Sequence, residues 1–188
     1  MEESKKAVLG AGGVAAGEIK VNRAELADIS GGKIGLAHSS AGDIQAESVR
    51  MAQSAARSVR STELSATMSA ALQVDAQEAD MRFCSVGLLD ADRAEIGQSG
   101  VYGVMGQEVS LKSCYAKMAV SQGSLHASKS LIGIAAAREV EASEVRTGIL
   151  IAQNVRGNVR TLLDTRAAAV FGAAFGAAFA AVWLLRRR

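Results

Sequence analysis

Residues 44–58, IQAESVRMAQSAARS, run directly into residues 59–73, VRSTELSATMSAALQ, and residues 74–88, VDAQEADMRFCSVGL. Written one above another, the three lines align. Ile44 stands over Val59 and Val74, Val49 over Leu64 and Ala79, Met51 over Ala66 and Met81, and Ser54 over Ser69 and Cys84. The register extends in both directions. Val14 and Ile29 precede Ile44, Leu89 and Val104 follow Val74, and after one extra residue Val120, Ala135 and Leu150 continue the column. A period of about 15 residues repeated ten times is the mark of a solenoid, in which each repeat is one structural unit stacked on its neighbours.

Counting positions from zero at the Val14 column, the inward candidates fall at offsets 0, 2, 5, 7, 10 and 12. Each pair alternates with period two, as strands do, because successive strand side chains point to opposite faces. Helical 3–4 spacing is absent. Three five-residue segments per repeat predict a triangular coil. Offset 2 is small, as in Gly31, Ala46, Ser61, Ala76 and Ala91, with Gln122 as the exception, and a narrow interior needs small side chains. Offset 10 is mostly Ser or Cys, which suits a bend where a hydroxyl or thiol bonds nearby backbone.

Composition agrees. The chain has 188 residues, a net charge of +2, 49% hydrophobic residues, 19 Gly and no Pro. A wall that donates backbone hydrogen bonds to both neighbours has little room for Pro, which lacks the N–H. The mixture of charges forms no basic stripe, so nucleic acid is not expected as a partner. Cys84 and Cys114 share offset 10 two coils apart, about 9–10 Å at strand spacing, too far for a disulfide. Two free, buried thiols are expected.

Ala167 to Leu185 is 19 residues without a charge, closed by Arg186, Arg187 and Arg188. That length spans a hydrocarbon core as a helix. Trp183 and the three arginines are the candidate interfacial anchor. Ala168, Gly172, Gly176 and Ala180 share one helix face, a small-residue surface for packing against a second membrane helix. The expected organisation is an N-terminal tail over 1–8, the solenoid over 9–161, a linker over 162–166 and a membrane anchor with a basic tail over 167–188. Residues 9–16 keep the solenoid phase, which argues against a signal peptide. The rod is therefore expected in the cytoplasm, held by a single-pass C-terminal anchor. The fold class is all-β: a triangular β-solenoid of about ten coils followed by one C-terminal transmembrane α-helix.

Catalytic signals are sparse. His38 and His126 fall on outward positions of different coils. No Cys/His set has zinc spacing, and no phosphate-binding glycine loop occurs. Asp75, Asp80, Asp90, Asp92 and Glu95 concentrate acid, but at offsets that divide between two walls. The six-residue repeat of β-helical acyltransferases and the Thr ladder of ice-binding rods are both missing. No catalytic residue, cofactor or metal site is expected, and the chain is read as a non-enzyme. One outward pattern stands out. Around offsets 14 and 1 the C-terminal half turns apolar, with Leu88, Met105, Met118, Ile134, Ile149 and Ile151, where the N-terminal half carries Asp28, Ser30, Asp43, Gln45, Ser58 and Arg60. An exposed apolar strip marks a contact surface, and this one is the candidate contact strip.

A rod of short β-coils without an active site resembles the bactofilins, a polymer-forming cytoskeletal family. The nearest local likeness is Val155-Arg156-Gly157-Asn158-Val159-Arg160, similar to that family's V-x-G-x-[IV] coil segments. The period here is shorter, Pro-rich tails are lacking and a C-terminal span is present. The resemblance implies self-association through coil ends. The leading expectation is a membrane-tethered scaffold able to self-assemble, with membrane lipid and other copies of itself as partners. The alternative is a membrane-anchored adaptor whose rod binds another protein without polymerising.

Overall fold

The computed structural model describes residues 18–161. Nine strands occupy them in one sheet whose spatial order follows the sequence: β1 (Glu18–Asn22), β2 (Glu25–Ala37), β3 (Ser40–Ala52), β4 (Ala55–Thr67), β5 (Ala70–Arg82), β6 (Ser85–Gly97), β7 (Gly100–Lys112), β8 (Tyr115–Ser128) and β9 (Leu131–Thr161). Every neighbouring pair is parallel. From β1 to β7 each residue stands on the one 15 positions earlier, as Ile29 does under Ile44 and Ile44 under Val59. Each of β2 to β8 is nearly a whole coil, and the result is a parallel β-solenoid of about eight turns. Part of the expected span of 9–161 lies outside the described residues, as do the tail, the linker and the proposed anchor. Among the described residues no helix is long and apolar enough to cross a membrane.

The core is a stack of the inward columns. Ile34, Ile44, Val49, Val59, Val74, Leu89, Val104, Val109, Leu125 and Ile132 are buried, as are Leu36, Met51, Met81, Ile96 and Leu111 in the column beside them, while the remaining inward positions are mostly Ala, Ser or Cys. Leu, Ile and Val supply the apolar area that stabilises the stack, while small partners let the walls close.

One corner of each coil has an unusual backbone. Arg23, His38, Gln53, Met68, Phe83, Gln98, Ser113, Lys129 and Glu144 all adopt a left-handed conformation, with φ between 49° and 57°. None is Gly, and such residues disfavour this region by about 1–2 kcal/mol. The stack over-determines it. The amide of His38 donates to the Ala52 carbonyl one coil ahead, and that of Ser40 donates to the Ala24 carbonyl one coil behind. The amide between them, at Ser39, is left out of the ladder and donates to Ser54 Oγ at 3.3 Å. Ser54 Oγ in turn donates to the Ala52 carbonyl at 2.8 Å. The pattern recurs at Ala24 with Ser39, at Ser54 with Ser69, at Cys84 with Ser99 and at Cys114 with Ser130. The Ser column therefore exists because the kink strands one buried amide per coil, and a buried unpaired amide costs about 1–3 kcal/mol. Ser61, in a different inward column, has a buried hydroxyl without a partner.

The ladder skips a residue at two other places in each coil, at Ala27 and Gly42 and again at Gly32 and Glu47. With the left-handed corner these interruptions divide a coil into three segments of about five residues, as the alternation predicts.

One part of the expected register is corrected. The sequence columns put the extra residue before Val120, which turns Val120 and Gln122 inward. Instead Val104 pairs with Ala119, Met105 with Val120 and Gly106 with Ser121, and the shift falls between Ser121 and Ser124. Ala119 is fully buried and Gln122 exposed. Ser121 Oγ closes the bulge by donating to the Gln107 carbonyl and accepting the Gly123 amide at 3.2 Å. The small inward column then takes Ser121 after Gly106, where the longer, polar Gln122 would have to enter a narrow interior, so that column has no exception.

Candidate functional site: an apolar ridge on the solenoid

The outward positions sort into two kinds of surface. Between the ladder interruption at Gly32 and the left-handed corner, offsets 4 and 6 carry charge. Arg93 lies between Glu78, at 4.0 Å, and Glu108, at 3.0 Å. His126 Nδ1 stands 3.0 Å from Glu141 Oε2. These are surface pairs, worth little individually.

The second surface follows the interruption at Ala27 and Gly42. Its outward columns are offsets 11, 13, 14 and 1, two on either side of the bend. Of the expected contact strip, Leu88, Met105, Ile134, Ile149 and Ile151 are exposed, and Met118 is partly buried. Leu88, Gly103, Met118 and Ile134 form one unbroken column of paired residues. The structure adds Leu72, Tyr102, Tyr115 and Leu131, all exposed on the other side of the same bend. Of the remaining exposed large apolar side chains, Met68 and Phe83 sit at the left-handed corner and Val155 lies near the end of β9. The strip is thus one face of a wider ridge. Lys117 Nζ lies 4.6 Å from the centre of the Tyr102 ring, a cation–π contact on the ridge itself.

The ridge was only half visible in the sequence because glycines interrupt its other columns, at Gly87, Gly100, Gly133 and Gly148. The pairing register is what brings Tyr102, Tyr115 and Leu131 beside Met118 and Ile134.

The residues weighed for chemistry are dispersed. His38 occupies a left-handed corner and is exposed. Asp75 pairs with Asp90 in one column and Asp80 with Glu95 in another, while Asp92 accepts a hydrogen bond from Gln107 at 3.1 Å. Among the described residues no group of three or more His, Cys, Asp or Glu is placed to hold a metal ion. An open groove of about 1600 Å³ follows the left-handed corner from Arg23 to Gln98; it is lined by the Ser column, whose hydroxyls bond backbone groups, and by the dissimilar corner residues Arg23, His38, Gln53, Met68, Phe83 and Gln98. Cys84 and Cys114 are free and buried, as expected, and burial pushes both thiols above their ordinary pKa. Each donates to carbonyls at 3.1–3.4 Å, doing weakly what Ser does elsewhere in the column. The proposed membrane-packing residues Ala168, Gly172, Gly176 and Ala180, and the anchor residues Trp183, Arg186, Arg187 and Arg188, lie outside the described residues.

No family model, curated protein or solved structure matches the chain. The parallel solenoid is consistent with a bactofilin-like architecture, and the likeness extends to architecture alone.

Proposed function

We propose that this chain is a membrane-tethered, triangular β-solenoid that serves as a non-enzymatic, self-assembling scaffold of the bactofilin kind, with its rod on the cytoplasmic side. The observation that carries this reading is the continuous ladder from β1 to β9, in which the order of strands in space never departs from the order in sequence. Such a stack grows by about 4.8 Å per coil and presents straight columns of side chains along its length. A terminal coil offers backbone donors and acceptors to another rod, which is a physical route to end-to-end association. The uncharged stretch from Ala167 to Leu185, followed by three arginines, supports the tether.

Negative-stain electron microscopy of residues 1–165, and of the full chain in liposomes, tests the proposal. Filaments or ordered arrays are the expected result. Single rods about 50 Å long would set self-assembly aside and leave the adaptor.

A further inference from the structure

We infer that the apolar ridge docks on an anionic bilayer surface, so that the rod lies along the membrane that anchors it. The inference rests on the tethered-rod reading and adds which side of the rod meets lipid and which lipid charge it prefers.

Three observations converge. The first is segregation. Exposed large apolar side chains gather on both sides of one bend, whereas the segment between the other two interruptions carries ion pairs such as Arg93 with Glu108. A rod that is apolar along one ridge and charged elsewhere has the makeup of an interfacial element.

The second is charge. From Gly100 to Ile151 the four ridge columns contain two cations, Lys117 and Arg146, and no carboxylate. Their N-terminal continuation holds Glu25, Asp28, Asp43, Asp75 and Asp90. Arg57 and Arg60 only partly offset these acids, and Asp75 and Asp90 border the first ridge residues, Leu72 and Leu88; acid is absent from the last four coils of the ridge. Tyr102, whose ring lies beneath the Lys117 ammonium and ends in a polar hydroxyl, suits the headgroup level, and Lys and Arg there attract anionic lipid.

The third is shape and position. The ridge spans about five coils, roughly 24 Å, and about five residues across, roughly 16 Å. That footprint of about 400 Å² is half of what each partner contributes to a standard protein interface. A ridge also buries little against a second rigid rod, while a fluid bilayer closes around it. The ridge occupies the C-terminal half of the rod. Thr161 is the last described residue and follows the ridge residue Ile151 by ten positions. The uncharged segment begins six residues later, at Ala167.

The test uses the full chain carrying Cys84→Ser and Cys114→Ser, in a column that accepts Ser elsewhere. An environment-sensitive fluorophore is attached at Ile134→Cys on the ridge or at Glu139→Cys off it. The protein is reconstituted in phosphatidylcholine vesicles with or without phosphatidylserine. With phosphatidylserine the Ile134→Cys probe should shift to the blue and be quenched by nitroxide-labelled lipid, while the Glu139→Cys probe stays open to aqueous iodide. Lys117→Glu with Arg146→Glu should reduce the docked population at least about tenfold. If nitroxide lipid quenches Trp183 but the Ile134→Cys probe remains open to iodide, the tether stands and the docking is wrong. If neither is quenched by lipid, the tether fails and takes the inference with it. A ridge probe shielded from iodide but untouched by nitroxide lipid means that protein covers the ridge, which also overturns it. Equal quenching with and without phosphatidylserine overturns the preference for anionic lipid.

Discussion

The two halves of this rod share an interior and differ outside. Along the bend at Ala27 and Gly42, coils near the N-terminus present Asp28, Asp43 and Ser58, while coils near the C-terminus present Leu88, Met118 and Ile134 in the same columns. Beneath them the inward residues stay of one kind: Ile44, Val59, Val74, Leu89, Val104 and Ala119. The fold is therefore set by columns that do not change along the rod. The outward columns are free of that constraint, and a change along them needs another cause. Contact with something other than water is the cause proposed here.

The sharpest way to break this comparison is to place the same charge on each side of the wall. Leu125→Asp puts a carboxylate into a fully buried column and should cost more than about 4 kcal/mol, seen as a lost or greatly lowered urea transition. Ile134→Asp, on an outward column that is 41% exposed, should change stability by less than about 0.5 kcal/mol. Equal losses would mean that the ridge belongs to the core.

A second contrast separates two buried hydroxyls. Ser54→Ala strands the Ser39 amide, while the Ala52 carbonyl keeps the His38 amide, and should cost about 1–3 kcal/mol in denaturant melts. Ser61→Ala removes a hydroxyl that has no partner and should be neutral or slightly stabilising. A similar cost at both sites would remove the role given to the Ser column.

The left-handed corner makes a prediction of opposite sign. Gln53 is exposed at φ 50°, so Gln53→Gly relieves backbone strain against the entropy that Gly loses on folding. A net gain of about 0.5–1 kcal/mol is expected in the same melts. A loss would mean that the corner tolerates a side chain without strain.

The smallest effect concerns the thiols. Burial raises the pKa of Cys84 and Cys114 in the folded state, so the unfolded chain ionises first. Their contribution to stability is complete below the unfolded value, near pH 8.5, and is lost as pH rises through the folded value. The urea midpoint should fall above that pH. The fall should flatten in the Cys84→Ser, Cys114→Ser variant.

Much of this architecture is legible in the sequence because the interior repeats one chemical rule every 15 residues. The Ser and Cys of offset 10 even mark the bend. The left-handed residue before them is hidden, since Arg23, His38, Gln53, Met68 and Phe83 share no side-chain property and owe their conformation to the hydrogen bonds around them. The bulge was misplaced for a related reason. Val120 is the more apolar residue and continues the column by eye, but that register would turn Gln122 inward; Ser121 takes the small inward position instead, and Gly123 with Ser121 holds the extra residue outside. Gly157 shows the same close stacking near the end of β9. Its φ is 101°, and a Cβ there would strike the Ala142 carbonyl oxygen. The ridge was partly legible at offsets 14 and 1, and glycines concealed the rest.

The most direct test of the account is hydroxyl-radical footprinting of the full chain, in detergent and then in phosphatidylcholine–phosphatidylserine vesicles. Both states contain reactive side chains on the ridge and at the left-handed corner. The prediction is protection by the vesicles at Leu88, Tyr102, Tyr115 and Ile134, with Met68 and Phe83 still oxidised. Equal protection of both groups, or protection of Met68 and Phe83 alone, would contradict the claim that the ridge is the side of the rod that meets the membrane.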